Sequence, residues 1–284
     1  MAGEISVQLW PKRLWLVRHG QSAGNVASDI ARTWGELKVD VAERDVDVPL
    51  SPAGVTQSRA LGKWFANLAA DERPDVLLMS PYVRAMQTAD LIREAAGLAE
   101  SVLPPVRDER LREREFGILD RLTPSGVQEM HPEQAEFRRV IGKFYHRPPG
   151  GESWCDVILR LRSVLDTLSL HYAGHRVLIV AHEVVVLCFR YLIENLDEAR
   201  ILAIDQEGDI ANCGVTEYAC EPAGGGVGAG GATGAGGGVG AVDAAATAGA
   251  TGAQMRLVRY NFVAPLHAGG APVTSAKDLS YAPR

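Results

Sequence analysis

Residues 14–25 read Leu-Trp-Leu-Val-Arg-His-Gly-Gln-Ser-Ala-Gly-Asn, an unbroken apolar run that stops on an arginine, a histidine and a glycine. Four apolar residues without polar alternation, Leu14 to Val17, have the pattern of a strand buried on both faces, as in a parallel sheet covered by helices. Open α/β sheets bind ligands in the crevice beyond the carboxyl ends of their strands, so Arg18 and His19 fall where a ligand is expected. An imidazole supplies a nucleophile or a base. A guanidinium supplies a planar fork of donors for phosphate oxygens, and Gly20 admits a close approach with no Cβ in the way.

The pattern recurs on either side of the chain's middle. Val76-Leu77-Leu78-Met79 ends at Ser80-Pro81, and Val177-Leu178-Ile179-Val180-Ala181 ends on His182-Glu183. Helical stretches separate these strands. Ser51 and Pro52 open one, with Leu61, Trp64, Phe65 and Leu68 on a single face. A second runs from Pro81 to Gly97 and carries Arg84 in its first turn, where free N–H groups and the helix dipole add to its attraction for an anion. Ser153 with Asp156 caps a third, whose buried face is Trp154, Val157, Ile158, Leu161, Val164, Leu165 and Leu168, and Val184 to Ile193 form a fourth. Strands alternating with helices predict an α/β fold, a three-layer sandwich with a mostly parallel central sheet and helices on both faces. Ala211–Ala219 and Met255–Val263 read as two further strands. Residues 26–50 read as loop with a short helix at most, and 118–150 as a polar helical excursion. The alternating charges of Glu109 to Glu115 end on Phe116-Gly117, a turn that holds a carboxylate on a loop over the sheet.

Composition bounds the function. Of 284 residues 46% are hydrophobic and 23% charged, with a net charge of -6, so no basic surface calls for nucleic acid or a membrane and any pull on phosphate comes from local arginines. Cys155, Cys188, Cys213 and Cys220 form no Cys-x-x-Cys pair and share no metal-ligand spacing with the histidines. The first residues lack the apolar core of a signal peptide and no run approaches the roughly 20 residues of a membrane span, so a cytoplasmic protein is expected. Residues 222–253 hold 13 of the 30 glycines and no large side chain; they read as a flexible insertion. Random-coil scaling gives it a span on the order of 30 Å. The domain is then 1–221 plus 254–264, followed by a polar tail, 265–284, that packs weakly.

With Arg18-His19-Gly20, Arg84 in Ser-Pro-Tyr-Val-Arg-Ala-Met-Gln-Thr-Ala, Glu113 before Phe116-Gly117, Gly150-Gly151-Glu152-Ser153 and His182 after its strand, the chain resembles the histidine phosphatase superfamily, also called phosphoglycerate mutase-like. The resemblance covers roughly residues 13–220. It implies that His19 is phosphorylated, that Arg18, Arg84 and His182 hold the equatorial phosphoryl oxygens, that Asn25 adds a hydrogen bond, and that Glu113 is the general acid, with Glu115 the competing candidate. Gly20, Gln21, Ser22 and Arg114 are implied as further substrate contacts. No metal and no other cofactor is implied.

The resemblance also frames the alternatives. Trp34-Gly35 in reversed order, the moderate interval from Glu113 to His182, and Glu183-Val184 after the second histidine all depart from the mutase pattern, so a phosphomonoesterase acting on a small phosphorylated metabolite is expected. The alternatives are a phosphoglycerate mutase and a non-catalytic phospho-ligand binding or signalling protein. Similarity to the fructose-2,6-bisphosphatase domain adds Tyr145, Arg147 and Glu183 as substrate contacts, although Leu187 stands where that domain has an arginine. Monomer and homodimer both stay open.

Overall fold

The computed structural model describes residues 10–221 and 253–275. Its strands are β1 (Arg13–Arg18), β2 (Val76–Met79), β3 (Pro105–Arg107), β4 (Arg176–Ala181), β5 (Val215–Glu221) and β6 (Gln254–Phe262). They form one sheet in the order β3-β2-β4-β1-β5-β6, in which β1, β2, β3 and β4 run parallel and β5 pairs antiparallel with both neighbours. The helices are α1 (Ala23–Trp34), α2 (Pro52–Ala66), α3 (Val83–Ala95), α4 (Pro124–Met130), α5 (Pro132–Ile141), α6 (Trp154–His171), α7 (Glu183–Ile193), α8 (Glu198–Glu207) and α9 (Ala264–Ala268).

Successive side chains of a strand point to opposite faces, and here each face is covered. Leu14, Leu16, Val177 and Ile179 pack with Trp154, Leu161, Val185, Phe189 and Ile201 of α6, α7 and α8. Trp15, Val17, Leu178 and Val180 pack with Leu61, Phe65, Ala89, Ile92 and Leu266 of α2, α3 and α9. The expected sandwich is therefore present. Among the described residues no helix is long and apolar enough to cross a membrane.

The register levels the strand ends. Arg18 lies opposite Ala181 and Met79 opposite Val180, His19 N–H donates to Ala181 O at 2.9 Å, and Ser80 N–H donates to Val180 O at 3.0 Å. Residues far apart in sequence thus emerge side by side at one sheet edge.

Several expectations need correction. Residues 26–50 do not begin as loop: α1 starts at Ala23, capped by Ser22, whose hydroxyl accepts from Asn25 N–H while Asn25 Oδ1 accepts from Ser22 N–H. Its buried side is Gly24, Asn25, Ser28 and Ala31, small or polar, so it shows none of the apolar period by which a packed helix is recognised. Residues 211–214 are turn rather than strand, with Cys213 at φ 56 and its N–H donating to Arg18 O at 3.0 Å. The tail boundary moves as well. Residues 264–275 pack: Leu266 is fully buried, and Thr274 donates to Asn212 Oδ1 at 2.8 Å and accepts from Gln57 Nε2 at 2.9 Å. The Gly/Ala-rich insertion lies, but for residue 253, outside the described residues, as does the remainder of the tail.

Candidate active site

His19 follows β1 directly and is buried. Its Nδ1 is 2.7 Å from Gly20 O, a group that only accepts, and Arg84 Nε, which only donates, is 3.2 Å from its Nε2. These partners assign the tautomer: hydrogen on Nδ1, lone pair on Nε2. The lone pair of Nε2 thereby faces the Arg84 guanidinium. Arg84 reaches it because β2 ends at Met79 and α3 starts at Val83, so the arginine sits in the first turn of the helix with its guanidinium 4.9 Å from the Tyr82 ring centre.

His182 caps β4 and opens α7. Its ring centre is 5.2 Å from that of His19, its Nε2 is 2.8 Å from Ser80 Oγ, and its Nδ1 is 3.3 Å from Glu113 Oε2. Glu113 comes from the loop after the 3-10 turn Glu109–Leu111 and is 1% exposed; its other oxygen accepts from Arg114 N–H at 2.8 Å. Glu115 is exposed instead, accepting from the Tyr82 hydroxyl at 3.1 Å. Of the two candidate acids, Glu113 touches His182 and Glu115 is exposed.

Arg18 is fully buried beside His19, donating from a terminal nitrogen to Ile210 O and lying 3.3 Å from Glu183 Oε2. Asn25 joins the same wall: Asn212 Nδ2 bridges His19 O and Asn25 Oδ1 at 3.2 and 3.3 Å. Among the described residues no group of three His, Cys, Asp or Glu side chains is arranged to hold a metal ion.

The remaining sequence-predicted residues do other things. Gly20 is crowded by α2, where a Cβ would stand 2.7 Å from Gly54 O, and Gln21 Oε1 accepts from Ser51 Oγ at 2.7 Å. With Ser22 at the α1 cap, these three fasten the turn that carries His19. Glu183 holds Arg18 and accepts from Ile210 N–H at 3.0 Å. Arg114 lies behind Glu113, its Nε donating to Glu152 O at 2.7 Å, and burial followed by the nearby Arg138 charge lowers its pKa to about 10. Tyr145 and Arg147, expected as substrate contacts, are exposed and engaged elsewhere. Tyr145 bonds Glu198, and Arg147 pairs with Asp156, its Nε donating to Oδ2 at 2.7 Å.

Three participants escape the sequence reading. Ser80 carried the same signal as Arg18 and His182, a polar residue ending an apolar strand. Asn212 and Asp45 carried none. Asp45 opens the 3-10 turn Asp45–Asp47 and puts its carboxylate on Arg84, with Nη1 to Oδ1 at 3.0 Å and Nη2 to Oδ2 at 3.2 Å. A cavity of about 760 Å³, which none of these catalytic candidates lines, is bounded by residues 36–41 and by Ile118, Asp120, Arg121, Leu122, Met130 and His131.

With this geometry in place, comparison with known proteins is informative. Residues 14–229 match the family model of the histidine phosphatase superfamily (branch 1). A 2,3-bisphosphoglycerate-dependent phosphoglycerate mutase of Methylobacterium radiotolerans is 32% identical over 191 residues, covering 66% of this chain and 82% of that protein. A phosphoglycerate mutase-like protein of Arabidopsis thaliana is 31% identical over 171 residues, which are 57% of this chain and 54% of the relative, so the match takes in little more than half of it. Among solved structures, the native mycobacterial glucosyl-3-phosphoglycerate phosphatase is similar, with 26% identity, a TM-score of 0.56, and coverage of 74% of this chain and 90% of that one.

Proposed function

The chain belongs to the histidine phosphatase superfamily, and from that premise we propose that it is a phosphomonoesterase hydrolysing a small phosphorylated metabolite through a phosphohistidine on His19. The observation that carries the reading is the His19 tautomer. Nε2, with its lone pair, faces Arg84, while Nδ1 is fixed on Gly20 O. Nε2 attacks phosphorus in line with the ester oxygen, the P–O bond breaks, and the electron pair leaves with the alkoxide. Arg18, Arg84 and His182 meet the charge on the equatorial oxygens, where positioned donors lower the barrier most. Glu113, protonated at this point, gives its proton to the leaving oxygen. A water then attacks the phosphohistidine, Glu113 takes that water's proton, and His19 and inorganic phosphate are released.

Support for hydrolysis over transfer comes from the sequence departures from the mutase pattern and from the similar glucosyl-3-phosphoglycerate phosphatase structure. The test is phosphate release in EDTA from an aryl phosphate and a panel of phosphorylated sugars, glycerates and nucleotides. Turnover that survives EDTA and disappears in His19→Ala is the expected result. Turnover unaffected by that substitution would sink the mechanism. One observation favours a second reading, phosphoglycerate mutase: the 32% identical relative carries that name. Interconversion of phosphoglycerates dependent on a bisphosphoglycerate primer, with no phosphate release, would replace the first reading by the second.

A further inference from the structure

Asp45 belongs to none of the roles above, yet it occupies the phosphate-facing arginine. Arg84 turns Nε toward His19 and spends its terminal nitrogens on Asp45, on the carboxylate and also on the backbone carbonyl, which accepts from Nη1 at 2.6 Å. The loop that presents Asp45 is fastened from across the cavity. Arg121, in the left-handed region at φ 59, donates to Val41 O at 2.7 Å and to Glu43 O at 2.6 Å. The carboxylate is thus built into the site by two arginines, one at each end of its loop.

We propose that Asp45 is a specificity-determining residue that selects phosphomonoesters with an uncharged, hydroxyl-bearing leaving group against those with a second anion close to the ester oxygen. This rests on the phosphomonoesterase reading and names its substrate class. Through Arg84, whose Nε lies 3.2 Å from His19 Nε2, the Asp45 carboxylate is held close to the nitrogen that would carry the phosphoryl group. A leaving group extending from a phosphoryl on His19 past Arg84 meets this carboxylate. Arg121, which fastens the loop, does not offset it: its terminal nitrogens go to the carbonyls of Val41 and Glu43, and its Nε lies 3.8 Å from Asp120. A phosphoryl dianion still outcompetes Asp45 for Arg84, because it also engages Arg18 and His182. A carboxylate or second phosphate on the leaving group gains no such partners and meets like charge in a partly desolvated space, a discrimination by repulsion.

The matched pair for the test is glycerol 3-phosphate and 3-phosphoglycerate, identical but for CH2OH against carboxylate. For the wild type, kcat/KM should favour glycerol 3-phosphate by about tenfold or more at low salt, as expected for like charges a few ångströms apart near a protein surface. Asp45→Asn should close most of that gap, chiefly by speeding 3-phosphoglycerate, and Asp45→Glu should keep it. Equal or inverted wild-type preference, or a gap unchanged in Asp45→Asn, overturns the proposal. Should neither ester be hydrolysed while an aryl phosphate is, or should nothing be hydrolysed, titration calorimetry with inorganic phosphate decides. Folded Asp45→Asn should then bind phosphate about tenfold more tightly than wild type, since Arg84 no longer holds a competing carboxylate. Equal affinity refutes the role of Asp45, whereas tighter binding with no turnover refutes only the phosphomonoesterase reading.

Discussion

Glu113 and His182 meet at 3.3 Å, carboxylate oxygen against imidazole nitrogen, with both side chains buried. Under the proposed mechanism the first would donate to the leaving oxygen and the second would hold a phosphoryl oxygen, so the two roles fall to side chains in direct contact.

Glu113→Gln separates the two steps by leaving group. General acid catalysis is worth about 10²- to 10⁴-fold, and it is needed where the departing alkoxide is a strong base. The substitution should lower kcat by that amount for glycerol phosphate and much less for formation of the phosphohistidine from p-nitrophenyl phosphate, whose leaving group departs unaided. A burst followed by slow turnover in rapid-quench measurements checks this; equal losses on both substrates would mean that another residue supplies the proton.

Ser80 positions His182 through the 2.8 Å bond to its Nε2. Ser80→Ala should lower kcat/KM by up to about tenfold, the worth of one buried hydrogen bond, with KM for phosphate esters rising and the melting temperature little changed. Ser80→Thr, which keeps the hydroxyl, should restore both kcat/KM and KM. An unaltered KM would reduce Ser80 to packing.

Burial, and behind it the Arg138 and Arg114 charges, lower the His146 pKa to about 4. In the unfolded chain its pKa is near 6.5, so between about 6.5 and 4 the unfolded state binds more protons and stability falls as pH falls. Denaturant melts from pH 7 to 4.5 should show this loss, and His146→Gln should flatten the slope by less than one proton. A slope that survives the substitution unchanged locates the effect elsewhere.

Leu266 is fully buried against the α2 and α3 side of the sheet. Leu266→Ala should cost about 2–4 kcal/mol in two-state unfolding, the usual range for a leucine truncated in a packed core. A loss below about 0.5 kcal/mol, as at an exposed site, would show that residues 264–275 do not belong to the domain core.

What the sequence revealed follows from where its signals were local. β1, β2 and β4 are buried on both faces, so continuous apolar runs announced them, and the polar residues that end them stood out as the sheet edge. α1 stayed hidden because its packed side is Gly24, Asn25, Ser28 and Ala31 while Val26, Ile30 and Trp34 face solvent. Asp45 and Asn212 act on partners 39 and 193 residues away, Arg84 and His19, and no neighbouring residue marks them. Tyr145 and Arg147 entered through likeness alone, and nearby partners claim them. Arg138 and Arg139 look alike in sequence, but one is 7% exposed and the other pairs on the surface with Glu136.

The pairing of β1 with β4 joins residues 13–18 to residues 176–181, so the floor under His19 is closed by strands far apart in sequence. Loop-closure entropy opposes such pairing until late, and parallel non-local strands form slowly. Acquisition of the site is thereby tied to the last stages of folding. If the proposed function holds, phosphate gripped by the assembled arginines and histidines would act during refolding as a latch on the completed state, slowing its unfolding more than it hastens its formation.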